Sequence, residues 1–353
     1  MKTMLESTHP DYGLLFIARD AMNNSGWIKR DSRAGFTVEF ESPVIVKNSR
    51  YYISSSPVRD ANPFFHLAES LWMLAGRQDL DFLLIFNSTF GQFSDDGKFV
   101  RGSAYGYRWR EFFGKNQIAS IINELQNTAS RRAVLTQWSV EDLNIDSKDV
   151  PCNTQTYFLV RNGKLDMTVV NRSNDLIYGM YGSNIVHFSI LHEYIASALN
   201  IEKGDYYQMS NCLHIYTDNS VFQKMQSNYR ADFSAPEVDN DLAGYCDNPY
   251  GSLVQAPIGD AVQFMSDLTE FFNKFDELRS TAPDRDALED LGLALGQIRD
   301  TTSPLLQDFY HMGLAWISFK RKQKPIWLPN DGGTIWRFVS QNYLTRRNRE
   351  ILS

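Results

Sequence analysis

Two alternating runs, residues 154–160 and 164–170, are joined through Asn162-Gly163. This pairing constrains the chain more than any other feature. Asn-Gly between strands with apolar residues at every second position specifies a tight hairpin, because both central residues must take positive φ. With Arg161 opposite Lys164, the antiparallel register carries back to set Cys152 opposite Ser173 and Asn153 opposite Arg172, subject to a one-residue shift if the strand bulges. A thiol, a guanidinium and a hydroxyl therefore meet at one end of a sheet.

Around this hairpin the periodicity is helical. Phe64, Leu67, Ala68, Leu71, Trp72 and Leu74 follow Pro63 at helical spacing, with Glu69 in the middle of the segment. Helices are expected over residues 117–125 and 184–199, the second with Asn184 as N-cap and Phe188, Leu191, Ile195 and Leu199 on one face. After Pro257 the pattern becomes helical throughout. Phe264, Leu268, Phe271, Phe275 and Leu278 form one stripe, a second helix lies around 288–298, and a third begins past Pro304. The expected division is residues 1–258 as the main domain and 259–353 as a helical C-terminal extension.

Composition removes several classes of function. The chain has 353 residues with a net charge of -7, and no apolar run approaches the roughly 20 residues that cross a bilayer. The N-terminus has no apolar stretch followed by a small-residue cleavage site, so a cytoplasmic protein with no membrane partner is expected. Cys152, Cys212 and Cys246 are odd in number and irregularly spaced, which fits neither a disulfide framework nor a metal site. The acidic balance argues against nucleic acid as a general partner. From residue 320 onward, however, eight Lys or Arg stand against Asp331 and Glu350, a net +6. Interleaved with Trp327, Trp336, Phe338 and Tyr343, these charges read as the solvated face of a packed segment.

A guanidinium beside a cysteine favours the nucleophilic thiolate or simply holds an anion, while a cysteine with neither role packs as a small apolar residue. Adjacent arginines such as Arg131 and Arg132, in SRRAVLTQW, repel unless an anion meets them or they point apart. His214 and Tyr216, in LHIY, share one strand face by period two. Patterns for P-loops, dinucleotide folds, serine hydrolases and zinc proteases are absent.

Several motifs over about residues 33–222 resemble, in order and spacing, the thymidylate synthase and pyrimidine hydroxymethylase superfamily. They are AESLWMLAG with Glu69, SAYGYRWR with Tyr105, SRRAVLTQW, DVPCNTQTYFLVRNGKL with Cys152, NRSNDLIYG with Arg172, Ser173 and Asp175, SNIVHFSILHEYIA with Asn184, and GDYYQMSNCLHIY with His214 and Tyr216. The resemblance implies an α+β, three-layer thymidylate synthase-like fold with a mixed β-sheet flanked by helices, assembled as a homodimer packed sheet to sheet. It implies a pyrimidine nucleoside monophosphate and 5,10-methylenetetrahydrofolate as substrate and cosubstrate, with no metal. By the same resemblance Arg131 and Arg132 of one subunit join Arg172, Ser173 and Arg33 of the other at the phosphate, with Arg30 a second choice for the N-terminal arginine. His214 and Tyr216 hold the sugar, Asn184 reads the base, and Asp175 meets the folate.

The implied chemistry starts with addition of the Cys152 thiolate to C6, which makes C5 nucleophilic toward the one-carbon unit. Glu69 organises water and moves protons, and Tyr105 stands where the C5 proton leaves. The exocyclic methylene that results becomes a methyl group by hydride transfer or a hydroxymethyl group by addition of water. The sequence departs from synthases in ways that favour water. Asn153 stands where synthases carry His after the nucleophile, Asn174 resembles the hydroxymethylases, Gly91 occupies the place of a shielding tryptophan, and the chain continues well past Pro257. The expected activity is deoxyuridylate hydroxymethylation. A thymidylate synthase, a deoxycytidylate hydroxymethylase and a non-catalytic nucleotide or nucleic-acid binder remain as alternatives.

Overall fold

In the computed structural model, which describes residues 4–7, 10–23, 27–32, 35–48, 58–228, 256–323 and 334–352, the Asn162-Gly163 turn joins β6 (Asn153–Arg161) to β7 (Lys164–Asn171). Both turn residues have positive φ, 51° and 73°, the geometry that lets a two-residue turn follow the strand twist. Arg161 pairs with Lys164 as expected, but a bulge between Asn153 and Gln155 shifts the far end by one residue. Asn153 therefore faces Asn171, and the backbone N–H of Arg172 donates to the Cys152 carbonyl at 2.9 Å. The unshifted register is corrected accordingly: Cys152 meets Arg172 rather than Ser173.

The hairpin belongs to a mixed six-stranded sheet in the order β1 (Met4–Ser7), β4 (Val44–Asn48), β9 (Glu202–Ser210), β7, β6, β5 (Val134–Thr136). A second sheet runs β2 (Trp27–Ser32), β3 (Gly35–Phe40), β10 (Leu213–Tyr216), β8 (Asn174–Asp175). Strands β7 and β9 are parallel neighbours in the first sheet, and their continuations β8 and β10 are parallel neighbours in the second. The strand pair thus passes from one sheet to the other through Arg172-Ser173 and Asn211-Cys212. At that passage Asn211 N donates to Asn171 O at 2.9 Å and Asn174 N to Cys212 O at 2.8 Å.

Helices pack on the buried faces. In α2 (Pro63–Leu74) the Asn62 side chain caps the amides of Phe64 and Phe65, Pro63 occupies the first turn, and all twelve residues are buried. After α3 (Asp81–Phe86) and the short α4 (Tyr105–Tyr107), α5 (Gln117–Leu125) falls where the periodicity predicts it. Helix α6 (Ile185–Leu199) follows a π-helical stretch, Leu176–Asn184, kinked at Gly182. Asn184 is therefore not an N-cap: its own φ and ψ, -62° and -43°, are helical, and its side chain makes no capping bond. Helix α7 (Ser220–Asn228) closes a smaller core with α1 (Pro10–Asn23) and the Leu176–Asn184 stretch.

The C-terminal helices are α8 (Ala261–Thr281), α9 (Ala287–Leu295), α10 (Pro304–Lys320) and α11 (Ile335–Leu352). Their apolar faces join the main core rather than forming another. Phe82 of α3 packs edge-on to Phe271, Phe272 and Phe275, while the Trp316 indole donates to the Ile85 carbonyl at 3.0 Å and lies 5.0 Å from the Phe64 ring. The basic tail is largely paired: Arg337 meets the buried Asp308 at 2.6 Å, and Arg346 and Arg347 both reach Asp60. No helix among the described residues is long and apolar enough to cross a membrane.

Replacing Trp316 by Ala removes the indole and strands the Ile85 carbonyl. A loss of about 3–5 kcal/mol is expected in urea unfolding. His192 on α6 gives a pH dependence. Burial pushes its pKa down to about 3, and its Nε2 lies 2.5 Å from the Leu165 carbonyl. The unfolded imidazole takes up a proton near its ordinary value of 6.5, whereas the folded one does not. Stability therefore falls as pH drops from about 6.5 toward 3, by ~2 kcal/mol at pH 5. Urea midpoints at pH 7 and pH 5 should show this slope in the wild type and less of it in His192→Gln.

Candidate active site

The passage of β7 and β9 between sheets gathers a set of polar side chains, of which Arg172 is exposed and Asn174 buried. Cys152, half-buried just before β6, has its Sγ 3.9 Å from an Nη of Arg172. The same guanidinium donates to the carbonyls of Pro151 (2.7 Å) and Val150 (3.2 Å) and stacks over Trp138 at 5.5 Å. Tyr105 fixes the other side of the cysteine, because its Oη accepts from the backbone N–H groups of Cys152 and Asn153, each at 3.2 Å. The loop before Tyr105 is held in turn by Asp149, whose carboxylate accepts from the amides of Gly102 and Ser103 at 2.8 Å. Burial pushes the Tyr105 phenol far above its usual range, with Cys152 adding to the shift. It remains a neutral hydroxyl, and with both lone pairs engaged its proton is directed elsewhere.

Glu69 is buried on α2 with Oε2 2.8 Å from His187 Nε2 and within 3.4 Å of the Ser183 hydroxyl. Asn184, the next residue, donates through Nδ2 to Asn174 Oδ1 at 3.1 Å. Asp175 pairs with His214 across β8 and β10, and the His214 and Tyr216 rings meet edge to face at 5.1 Å. Asp175 Oδ1 caps the amides of Ile177 and Tyr178, whereas Oδ2 is buried and has no hydrogen-bond partner among the described residues. Burial raises the Asp175 pKa, with His214 opposing. The Ser173 side chain turns toward Cys212, whose thiol burial pushes up. Side-chain contacts thus form three groups: Tyr105, Cys152 and Arg172; Asn174 and Asn184; and Ser183, Glu69 and His187.

Other expected residues stand apart from these groups. Arg131 and Arg132 lie exposed before β5; Arg132 is 82% exposed and reaches Glu124 at 3.0 Å. Gly91 sits on the 3-10 turn Ser88–Phe93, where an added Cβ would touch only Leu84 and Leu80, at 3.7 and 3.8 Å. Asn153 is fully buried; its Nδ2 donates to Asn171 at 2.6 Å, and its Oδ1 has no partner among the described residues. Arg30 pairs with Glu39 at 3.3 Å. Arg33, Cys246 and Trp327 lie outside the described residues.

Sequence reasoning missed His187, together with Arg59 and His66, which approach each other at 2.9 Å. Burial drives the His66 pKa well below its ordinary value, with the Arg59 charge adding to the shift. The signals were available: His187 follows Asn184 by three residues and His66 precedes Glu69 by three, spacings that put each pair on one helix face.

A mixed two-sheet fold with a thiol, a guanidinium and a buried carboxylate at the strand passage defines a class, and the comparisons identify it. Residues 29–241 match the model described as thymidylate synthase, and the chain belongs to that family. Among curated relatives, it is 47% identical over 54% of its length to a deoxyuridylate hydroxymethyltransferase of Pseudomonas phage M6, and 37% identical over 62% to one of Bacillus phage SP01. It is 34% identical over 42% of its length to a thymidylate synthase of Symbiobacterium thermophilum, of which 57% is covered. The two phage alignments take in 56% and 59% of those relatives, so the chain spans little more than half the length of the curated relatives it matches.

His187→Ala should leave the Glu69 carboxylate buried without its principal partner. Urea unfolding should then show a loss of about 1–3 kcal/mol or more, and His187→Gln, which keeps a donor near the same place, should recover part of it.

Proposed function

We propose that the chain is a deoxyuridylate 5-hydroxymethyltransferase that converts dUMP to its 5-hydroxymethyl derivative with 5,10-methylenetetrahydrofolate as cosubstrate. The observation that carries this reading is the Cys152 thiol held against the Arg172 guanidinium, with the Asn184 amide bonded to Asn174 two residues beyond Arg172. Cys152 adds to C6 of the pyrimidine and is later expelled from it. Arg172 keeps the thiol region cationic and, with Ser173 and Arg33, holds the phosphate. Arg131 and Arg132 complete that grip from a second subunit. Their exposure at the sheet edge, beside the exposed Val134 and Tyr157 on the outer face, supports a sheet-to-sheet homodimer.

His214 and Tyr216 take the sugar hydroxyl. Asp175 Oδ2, an acceptor without a partner in a buried setting, suits a ring N–H of the folate. When bound, the folate supplies the one-carbon unit at the oxidation level of formaldehyde. Glu69, with His187 behind it, moves protons through ordered water. Tyr105, a neutral phenol, passes the C5 proton onward only through water at its hydroxyl.

Two features favour addition of water over hydride transfer. Gly91 offers no side chain to shield the reacting carbon, and the unpartnered Asn153 Oδ1 can accept a hydrogen bond from an attacking water. Incubation with dUMP and methylenetetrahydrofolate should give a nucleotide heavier by CH2O, with tetrahydrofolate as coproduct. A methylated nucleotide with dihydrofolate would make the activity that of a thymidylate synthase. Cys152→Ala should bind dUMP yet release no C5 tritium; retained release would end the covalent mechanism.

A further inference from the structure

We infer that Asn174 and Gln208 are positioning residues that choose uracil over cytosine by fixing which way the Asn184 amide faces. The inference deepens the reading above and rests on Asn184 being the residue that meets the base.

An amide side chain is nearly symmetric in shape, so either edge fits the same space. Turned one way it offers a donor where the base has O4 and an acceptor where the base has N3–H, which suits uracil. Flipped, it offers the reverse and suits cytosine. Nothing within Asn184 selects between the two, so the selection comes from its surroundings.

Here the surroundings form a chain of polar side chains with one end tied to the backbone. Gln208, fully buried on β9, donates from Nε2 to the Met180 carbonyl at 3.1 Å. A backbone carbonyl only accepts, so this contact fixes the orientation of the Gln208 amide and turns its Oε1 toward Asn174. Asn174, buried on β8, accordingly presents Nδ2, which lies 3.4 Å from Gln208 Oε1 and 3.0 Å from the Ser210 hydroxyl. Its Oδ1 is thereby left facing Asn184, and Asn184 answers with Nδ2 at 3.1 Å. One N–H and the Oδ1 of Asn184 remain for a ligand in a fixed order, and a base seated with O4 at that N–H and N3–H at Oδ1 is uracil.

Flipping Asn184 would set oxygen against oxygen at Asn174. Relieving that clash requires flipping Asn174 against Gln208, and then Gln208 against the Met180 carbonyl. Gly179 gives the amide pair its room, because a Cβ there would fall 2.5 Å from Asn174 Oδ1.

The readout is the ratio of kcat/KM for dUMP to that for dCMP, measured by C5 tritium release, which a uniform structural loss does not move. Asn174→Ala and the near-isosteric Gln208→Met should each narrow the ratio tenfold or more. Asn174→Asp, which still accepts from Asn184 Nδ2, should keep the preference for dUMP. Should Asn174→Ala fail to fold, the contrast between Gln208→Met and Asn174→Asp decides. An unchanged ratio in folded, nucleotide-binding Gln208→Met or Asn174→Ala overturns the relay. Asn184→Asp separates the two levels: a shift toward dCMP upholds Asn184 as the base reader even if the relay fails. No shift removes that role and the relay with it.

Discussion

Two parallel strands leave one sheet and continue in another, and the candidate site is a consequence of how that passage is made. A strand inside a sheet spends its backbone groups on neighbours and alternates its side chains across two faces. Where β7 and β9 turn out of the large sheet the alternation is interrupted, and four consecutive residues, Arg172 to Asp175, become available in different directions. The backbone of the passage stays satisfied because the two strands bond each other through Asn211 to Asn171 and Asn174 to Cys212. The bulge near Thr154 makes the same adjustment on β6 and brings Cys152 level with Arg172.

Burying so many polar side chains is costly unless each finds a partner, and here the partners are largely other amides and hydroxyls. Asn153 bonds Asn171, Asn171 bonds the Met209 carbonyl, Asn174 bonds Ser210, and Gln208 bonds Met180. Because each member has a distinct donor and acceptor end, satisfying one constrains the next. A network of this kind fixes orientation as well as position, which apolar packing around the same groups would not do. The exceptions are informative for the same reason. Among the buried atoms without partners in the described residues, Asn153 Oδ1, Asp175 Oδ2 and His214 Nδ1 belong to β6, β8 and β10, the strands at the passage, where a ligand would supply what the protein does not.

Local patterns in the sequence carried the local structure. The Asn-Gly hairpin, the capped α2 and α5, and the aromatic stripe of α8 each depend on neighbours within a few residues, so periodicity and turn chemistry suffice to read them. The bulge did not show, because a single extra residue leaves the alternation on either side intact. Asn184 looked like a cap because it precedes an apolar helix; the π-helical turns before it, which depend on the fit of Leu176 and Met180 into the smaller core, were invisible locally. The second sheet was also missed: strands as short as Asn174–Asp175 have no period to detect. That Cys152 and Arg172 share one end of the sheet was legible from the hairpin, although the bulge decides that they meet; the contact of Glu69 with His187 joins two helices far apart in sequence, and only the tertiary fold specifies it.

The C-terminal helices fix the turn that carries Gly91 through packing on α3. Gly91 belongs to the 3-10 turn that directly follows α3, and α3 is held from behind by α8 and α10. Phe82 is enclosed by three phenylalanines of α8, and Phe86 stacks on Trp316 of α10 at 6.0 Å and 22°. The indole bond to the Ile85 carbonyl ties the last turn of α3 to the same helix. Phe90, one residue before Gly91, packs on Phe65 of α2 at 5.4 Å. A segment fixed on both sides in this way has little freedom to close over a space that a glycine leaves open. The extension therefore holds the turn that carries Gly91 in place, and the space beside that glycine is a property of the whole helical layer rather than of one small residue.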